Sequence, residues 1–281
     1  MRISRTPDDL RLQLTLLPRR RVLVPTMGAL HEGHLALIRR AREAAGPDGT
    51  VAVSIFVNPI QFDRPGDLAA YPKPLADDLA KCEAAGVDLV FAPEAGAMYF
   101  PDRSITVTES LLSTHLCGAA RPGHFDGVCT VVLKLFNLFQ ADAAVFGEKD
   151  VQQLAILRRM VRDLDVPVEI IGHPTVREPD GLAMSSRNIR LTPEHRADAP
   201  RIRRALEGAR SLLPFGERSA APFLAAARKH LEDSAFLRID YLELVDAETL
   251  QPVGHIKRPA VLATAVFYGD VRLIDHVTLL P

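Results

Sequence analysis

The run Met27-Gly28-Ala29-Leu30-His31-Glu32-Gly33-His34 holds the residues of this chain best suited to chemistry. Its two imidazoles, His31 and His34, stand three positions apart. On a helix that is one turn, so both rings can reach the same phosphate. Gly28 and Gly33 let backbone come close to a bulky ligand. A helix N-terminus adds unpaired N–H groups and a positive dipole end. Together these features read as a polyphosphate site. The spacing also fits an ordinary loop, or a metal pair in want of a third ligand. It does not fit a metalloprotease, which needs His-Glu-x-x-His with i,i+4 spacing.

Four further stretches set polar groups beside apolar ones. In Asn58-Pro59-Ile60-Gln61 two side-chain amides can donate and accept, which suits a small hydroxylated acid. Asn-Pro is equally a common turn. Arg121-Pro122-Gly123-His124-Phe125-Asp126-Gly127 is a polar loop before an apolar helix, which Asp126 or Gly127 is expected to cap. Arg121 or His124 can meet an anion there. In Gly147-Glu148-Lys149-Asp150, Gly147 allows close approach and Lys149 is a compact charge suited to phosphate. Asp150 either caps the next helix or helps hold a phosphate-bound Mg²⁺. Gln153 lies one turn into that helix. A solvated glycine turn would read the same way. Finally, Met184-Ser185-Ser186-Arg187 offers hydroxyl and guanidinium donors to phosphate oxygens, or forms a Ser-rich linker.

The elements that must position these groups alternate. Apolar runs at 22–25, 51–57, 87–91, 141–146 and 168–171 predict strands, and the first is followed by a helical pattern from Leu35. Residues 77–85, 128–139 and 151–162 carry further helical spacing. Strand–helix alternation means a parallel sheet wound with helices on both sides. After about residue 175 the pattern changes. Helical stretches at 193–213 and 220–231, broken by Pro214-Phe215-Gly216, precede strands at 237–244, 260–268 and a short 271–274, which predicts a small α+β domain.

With 281 residues the chain has material for two domains, and 47% apolar with 25% charged residues is an ordinary globular composition. A net charge of −1 gives no global field for nucleic acid or an anionic membrane. No stretch is long enough to span a membrane, and the start lacks the apolar block of a signal peptide, so the expected compartment is the cytoplasm. Cys82, Cys117 and Cys129 form no Cys-x-x-Cys pair and no disulfide framework.

Taken in order, Pro25-Thr26-Met27-Gly28 with His31-Glu32-Gly33-His34, Phe56-Val57-Asn58-Pro59 with Gln61-Phe62, Arg121-Pro122-Gly123-His124-Phe125, Gly147-Glu148-Lys149-Asp150 with Gln152-Gln153, and Met184-Ser185-Ser186-Arg187 resemble the pantoate–β-alanine ligases. The resemblance runs nearly the whole length, through Val271-Arg272-Leu273-Ile274-Asp275. Cys129 departs from the small residue expected at its position.

The resemblance implies a Rossmann-like α/β fold of nucleotidyltransferase type. Residues 1–175 would bind nucleotide and pantoate, and 176–281 would form a smaller α+β lid. It implies ATP contacts from Met27, Gly28, Ala29, Leu30, His31, Glu32, Gly33 and His34. Further ATP contacts would come from Gly147, Glu148, Lys149 and Asp150, and from Val176, Met184, Ser185, Ser186 and Arg187. Asn58, Gln61 and Gln153 would bind substrate, with Gln61 and Gln153 on pantoate and Gln61 also near β-alanine. His34, the family's proton donor, would act with His31, Lys149 and Arg187. The implied reaction joins pantoate and β-alanine through a pantoyl adenylate and releases AMP and pyrophosphate. Mg²⁺ would accompany ATP, and the chain would form a homodimer. Two other classes fit parts of the pattern. A dinucleotide-forming adenylyltransferase would need a nucleotide-sized acceptor pocket. A non-catalytic ATP-responsive module would have little use for Lys149, both histidines and Met184 to Arg187 together.

Overall fold

The structure, a computed structural model, describes residues 1–281. In chain order its elements begin with β1 (Arg2–Ser4), α1 (Pro7–Thr15), β2 (Arg21–Thr26), α2 (Glu32–Ala45), β3 (Thr50–Ile55), α3 (Pro65–Ala69) and α4 (Leu75–Ala84). Next come β4 (Leu89–Phe91), α5 (Ala95–Met98), α6 (Leu116–Ala120), α7 (His124–Phe139), β5 (Ala143–Gly147), α8 (Val151–Asp163) and β6 (Glu169–His173). The last are α9 (Pro193–Asp198), α10 (Arg201–Arg210), α11 (Ala220–Glu232), β7 (Leu237–Asp246), β8 (Ala260–Tyr268) and β9 (Val271–Leu279).

Two compact units result. The first comprises Met1–Glu109, Gly123–Glu148 and Ile156–Pro174; the second comprises Ser110–Pro122, Lys149–Ala155 and Thr175–Pro281. The first unit carries a six-stranded sheet in the order β1-β4-β3-β2-β5-β6, with every pair parallel. All six positions of β3 are buried, as befits a strand covered on both faces. Val22, Val24, Val51, Val53, Val90 and Val145 fill one side of the sheet against Ile38 and Ala41 of α2.

The strand order fixes where a ligand belongs. The chain winds outward from β2 through β3 to β4, then returns to place β5 on the other flank of β2. The winding direction reverses between β2 and β5, and open α/β sheets bind ligands beyond the carboxyl ends of strands at such a reversal. The segments that leave those ends are Met27 to His34 and Gly147-Glu148.

The second unit carries the antiparallel sheet β7-β8-β9. Its core joins Leu262, Val266 and Leu273 to Ile202 and Leu206 of α10 and Phe223 and Leu231 of α11. Buried Ile202, Ala205, Leu206 and Ala209 recur at helical spacing along α10. No helix in the structure is long and apolar enough to cross a membrane.

Several boundaries differ from the sequence pattern, four of them for a plain physical reason. Helix α2 starts at Glu32 rather than Leu35, because the two histidines themselves satisfy its first N–H groups. Helix α7 is capped by Gly123 at φ +78°, so Asp126 lies inside the first turn and Gly127 beyond it; neither is the cap. The stretch 193–213 is divided, and α9 and α10 flank Pro200. Strand β9 continues to Leu279 instead of ending at Ile274, since Asp275 is buried in an ion pair and does not break the strand.

Candidate active site

The loop after β2 is held from several directions. Thr26 Oγ1 donates to the Ser54 carbonyl (2.8 Å) and accepts from Gly28 N (3.2 Å). Gly28 has φ +81°, and a Cβ there would lie 2.9 Å from Asp78 Oδ2 and 3.1 Å from Ile55. Only glycine meets both conditions. Asp78, on α4 and 1% exposed, accepts from the backbone N–H of Ala29 (2.8 Å) and Leu30 (2.7 Å). Lys81, one turn further along α4, donates to the Leu30 carbonyl (2.7 Å). Ala29 sits at φ +51°, a left-handed conformation disfavoured for alanine. The carboxylate and ammonium of α4 bracket it on its C-terminal side.

This clamp delivers two histidines to the start of α2. His31 is the N-cap residue, and its Nδ1 accepts from Gly33 N (3.1 Å). His34 is the third helical residue, and its Nδ1 accepts from His31 N (3.3 Å). The pair forms a reciprocal capping box built from imidazoles, with ring centroids 4.2 Å apart. An Nδ1 that accepts carries no proton, so each neutral ring bears its N–H on Nε2. Two imidazole donors thus accompany the N–H groups of a helix N-terminus, an arrangement suited to phosphate oxygens.

The segment after β3 is a single 3₁₀ turn, Pro59–Gln61. Its close seat on α7 depends on Gly127, where a Cβ would fall 2.5 Å from the Ile60 carbonyl oxygen and 2.7 Å from Gln61 N. Asn58, 1% exposed, donates through Nδ2 to Gln61 Oε1 (2.9 Å) and to the Gly127 carbonyl (3.1 Å). Gln61 Nε2 in turn donates to Met27 Sδ (3.2 Å). His124, a candidate for meeting an anion, has its Nδ1 2.7 Å from the Gln61 carbonyl oxygen. Thus the first unit brings Met27, Gly28, Ala29, Leu30, His31, Glu32, Gly33, His34, Asn58 and Gln61 to the carboxyl edge of neighbouring strands. Gly147 ends β5 and Glu148 follows it at that same edge. The Glu148 carboxylate packs over Gly172 of β6, where a Cβ would come within 3.0 Å of Oε1.

The second unit groups the remaining candidates differently. Residues 176–184 form a small hairpin: Met184 N donates to the Val176 carbonyl (3.0 Å) and Glu178 N to that of Leu182 (2.8 Å). Arg177 binds Asp275 of β9 with both nitrogens, at 2.7 and 2.9 Å, and also donates to the Gly181 carbonyl. Arg196 pairs with Asp180 and Glu178 near the tip, and its hydrogen bond holds the Asp180 carboxyl below the usual carboxylate range. Asn188, buried just beyond Arg187, donates to the Ala183 carbonyl and to Glu178. Ser185 Oγ accepts from Arg187 N (3.2 Å), which fixes the Ser185-Ser186-Arg187 turn. Lys149, Ser185 and Asp275 line one niche of about 10 Å³, room for a single water-sized group, with Leu182, Ala183 and Ile202 as its apolar wall. Asp150 is exposed and Gln153 half-buried at the start of α8. Gln152, between them in spacing, is structural. It is 4% exposed and ties Leu112 and His115, which precede α6, and Gly118 within α6 to the start of α8.

Sequence reasoning missed Asp78, Lys81, Tyr99 and the Arg177–Asp275 pair. Asp77-Asp78 looks like ordinary acid in a first helical turn, and no local signal marks the second as buried. No three His, Cys, Asp or Glu side chains gather as a metal cage. All three cysteines are buried, and burial pushes the Cys82 and Cys129 thiols up to about 12, far from a poised nucleophile.

Comparison with known proteins agrees across the whole chain. The pantoate-beta-alanine ligase family matches residues 2–278. A pantothenate synthetase of Akkermansia muciniphila is 57% identical over 258 residues, 92% of each chain. One of Thermotoga petrophila is 51% identical over 256 residues, 91% of this chain and 90% of that one. The crystal structure of pantothenate synthetase from Thermus thermophilus superposes with a TM-score of 0.93 at 46% identity, covering 100% of both chains. The pantoate-beta-alanine ligase of Francisella tularensis, complexed with Beta-gamma ATP and Beta-alanine, gives 0.76 at 30% identity over 99% of this chain and 97% of that one. On this match of sequence, fold and length, the chain belongs to the pantoate–β-alanine ligase family, the pantothenate synthetases.

Proposed function

We propose that the chain joins the carboxyl group of pantoate to the amine of β-alanine through an enzyme-bound pantoyl adenylate, with AMP and pyrophosphate as by-products. One observation carries the reading. The Gln61 amide donor touches Met27, at the head of the histidine loop. An acid held by Gln61 therefore lies beside the groups suited to polyphosphate. A carboxylate is a poor electrophile, so the reaction needs its oxygen turned into a leaving group. A pantoate oxygen attacks the α-phosphorus of ATP, and the bond from that phosphorus to the pyrophosphate oxygen breaks. The amine of β-alanine then attacks the acyl carbon, AMP departs with the carboxyl oxygen, and the amine loses a proton.

No protein nucleophile is required, in keeping with the buried thiols. The work is alignment and stabilisation of charge. His31 and His34 would donate from Nε2 to phosphate oxygens, with Met27, Gly28, Ala29, Leu30, Glu32 and Gly33 shaping the loop, and His34 would serve as proton donor. Gly147, Glu148, Lys149, Asp150, Val176, Met184, Ser185, Ser186 and Arg187 are assigned to ATP. Lys149 and Arg187 would offset its charge. Gln61 and Gln153 would hold pantoate, with Gln61 near β-alanine and Asn58 acting through Gln61. Mg²⁺ would enter with ATP as part of the substrate, its ligands being phosphate oxygens and water. The working form would be a homodimer. Pyrophosphate release from ATP tests the reading: it should require pantoate and should precede any need for β-alanine. Release that ignores pantoate, or that follows a nucleotide acceptor instead, would overturn it.

A further inference from the structure

Gln61 can recognise an acid only if its amide is the right way round. The −NH₂ group must face the substrate, because the amide oxygen would repel a carboxylate. A glutamine amide has no intrinsic preference between its two ends. Something in the fold must choose.

The choice can be traced outward from Gln61. Its Oε1 accepts from Asn58 Nδ2 at 2.9 Å. Asn58 Nδ2 also donates to the Gly127 carbonyl at 3.1 Å, and a backbone carbonyl can only accept. This places the Asn58 nitrogen toward Gln61 and its oxygen away. That oxygen accepts from the Tyr99 hydroxyl at 2.7 Å. Asn58 is 1% exposed, so water does not substitute for either partner. Turning Gln61 over would oppose two −NH₂ groups. Turning both amides would aim Asn58 Oδ1 at the Gly127 carbonyl, two acceptors opposed in a buried site. Met27 Sδ, which accepts from Nε2, is a weak acceptor and yields readily to an oxygen anion.

We infer that Tyr99 is a positioning residue for acid recognition: its hydroxyl holds the buried Asn58 side chain, which the Gly127 carbonyl orients, so that Asn58 keeps the Gln61 amide with the donor end toward the substrate. The inference rests on Gln61 holding pantoate, as proposed above. Burial raises the Tyr99 phenol well above its ordinary range, so the hydroxyl keeps its proton and remains a donor. The ring is held independently, against Phe56 at 6.1 Å between centroids and by the cations of Arg103 and Lys134 at 5.5 and 5.8 Å. Tyr99→Phe therefore deletes one bond and retains the packing.

The test is a double-mutant cycle read as KM for each substrate, with melting curves to verify folding. Tyr99→Phe should raise KM for pantoate about three- to tenfold, the range of one net neutral hydrogen bond. KM for ATP should stay within about twofold. In a Gln61→Ala background the same substitution should change KM for pantoate no further, because the path ends at Gln61. An unchanged pantoate KM in Tyr99→Phe, an equal rise for both substrates, or an effect that persists without Gln61 would each overturn the inference while leaving the proposed reaction standing. If Gln61→Ala itself leaves pantoate KM unchanged, the role given to Gln61 falls, and this inference with it. Should Tyr99→Phe fail to fold, Asn58→Ala supplies the second arm. It removes the donor to Gln61 and should raise pantoate KM at least about threefold with KM for ATP nearly unchanged, and an unchanged pantoate KM would overturn the inference.

Discussion

The two units hold their chemically useful residues by opposite means. In the first, the histidine loop and the Gln61 turn hang on single hydrogen bonds to backbone N–H groups, carbonyls and neutral amides, with a lone buried carboxylate, Asp78, at the hub. In the second, the Val176–Met184 hairpin is fastened by paired charges, above all Arg177 on Asp275. Neutral bonds fail one at a time. A buried ion pair fails as a whole, because the surviving partner keeps its desolvation penalty without its counter-charge.

The largest expected effect follows from that difference. Asp275 is buried, with 3% side-chain exposure, and Arg177 is at 21%. Arg203 lies in the same field: burial and the neighbouring Arg177 lower its pKa, and Asp275 opposes them. Asp275→Asn would leave two guanidinium groups facing each other and should cost about 3–5 kcal/mol in urea unfolding of the second unit. Arg228→Ala, which breaks an ion pair exposed on both sides, should change stability by no more than about 0.5 kcal/mol. Equal losses from the two substitutions would erase the distinction drawn here.

Catalysis should be sensitive in both units, on different grounds. Lys149→Ala removes a charge assigned to phosphate, with no hydrogen bond that supports the hairpin. It should slow pantoate-dependent pyrophosphate release by on the order of 10²–10³ while the melting curve stays put. His34→Ala should slow it comparably, and also cost about 1 kcal/mol of stability, because it removes half of the capping box. A folded Lys149→Ala chain with normal pyrophosphate release would remove that residue from the mechanism.

Gln61→Ala takes away the donor proposed for the acid. It should raise KM for pantoate about ten- to a hundredfold, the range of a hydrogen bond to a charged group, and leave KM for ATP nearly unchanged. Matching losses for both substrates would mean that Gln61 holds the loop together and does not read the acid.

Much of this arrangement was legible in the residues alone. Each parallel strand from β2 to β5 announced itself as an apolar run, since both faces of the sheet are covered there. Gly28 marked close approach, though only the structure shows what approaches, Asp78; Gly127 reads as a helix cap, and its seat against the Pro59–Gln61 turn is seen only in the fold. What stayed hidden is partnership over distance. Asp78 reads as a first-turn helix acid, and its role depends on a loop 48 residues earlier. Asp275 reads as the polar end of a strand, because nothing near it in sequence announces Arg177, 98 residues away. Histidines read as ligand contacts also turned out to cap a helix, a use that residue type rarely suggests.

The sharpest comparison applies the same substitution to both units. Asp78→Asn keeps shape and retains one oxygen to accept from Ala29 N or Leu30 N. It also removes a buried negative charge that has no arginine partner, so part of the lost bonding is offset by relief of desolvation. The expected loss is about 1–3 kcal/mol, below that of Asp275→Asn. The amide's −NH₂ must face one of the two backbone N–H groups, so the loop should loosen at Ala29 or Leu30 and carry the His31–His34 pair with it. Urea unfolding gives the stability difference, and hydrogen exchange at Ala29, Leu30 and Gly33 gives the loosening. If Asp78→Asn destabilises as much as Asp275→Asn, the loop's carboxylate behaves as a paired charge. The contrast between neutral and ionic fastening then fails at its hub.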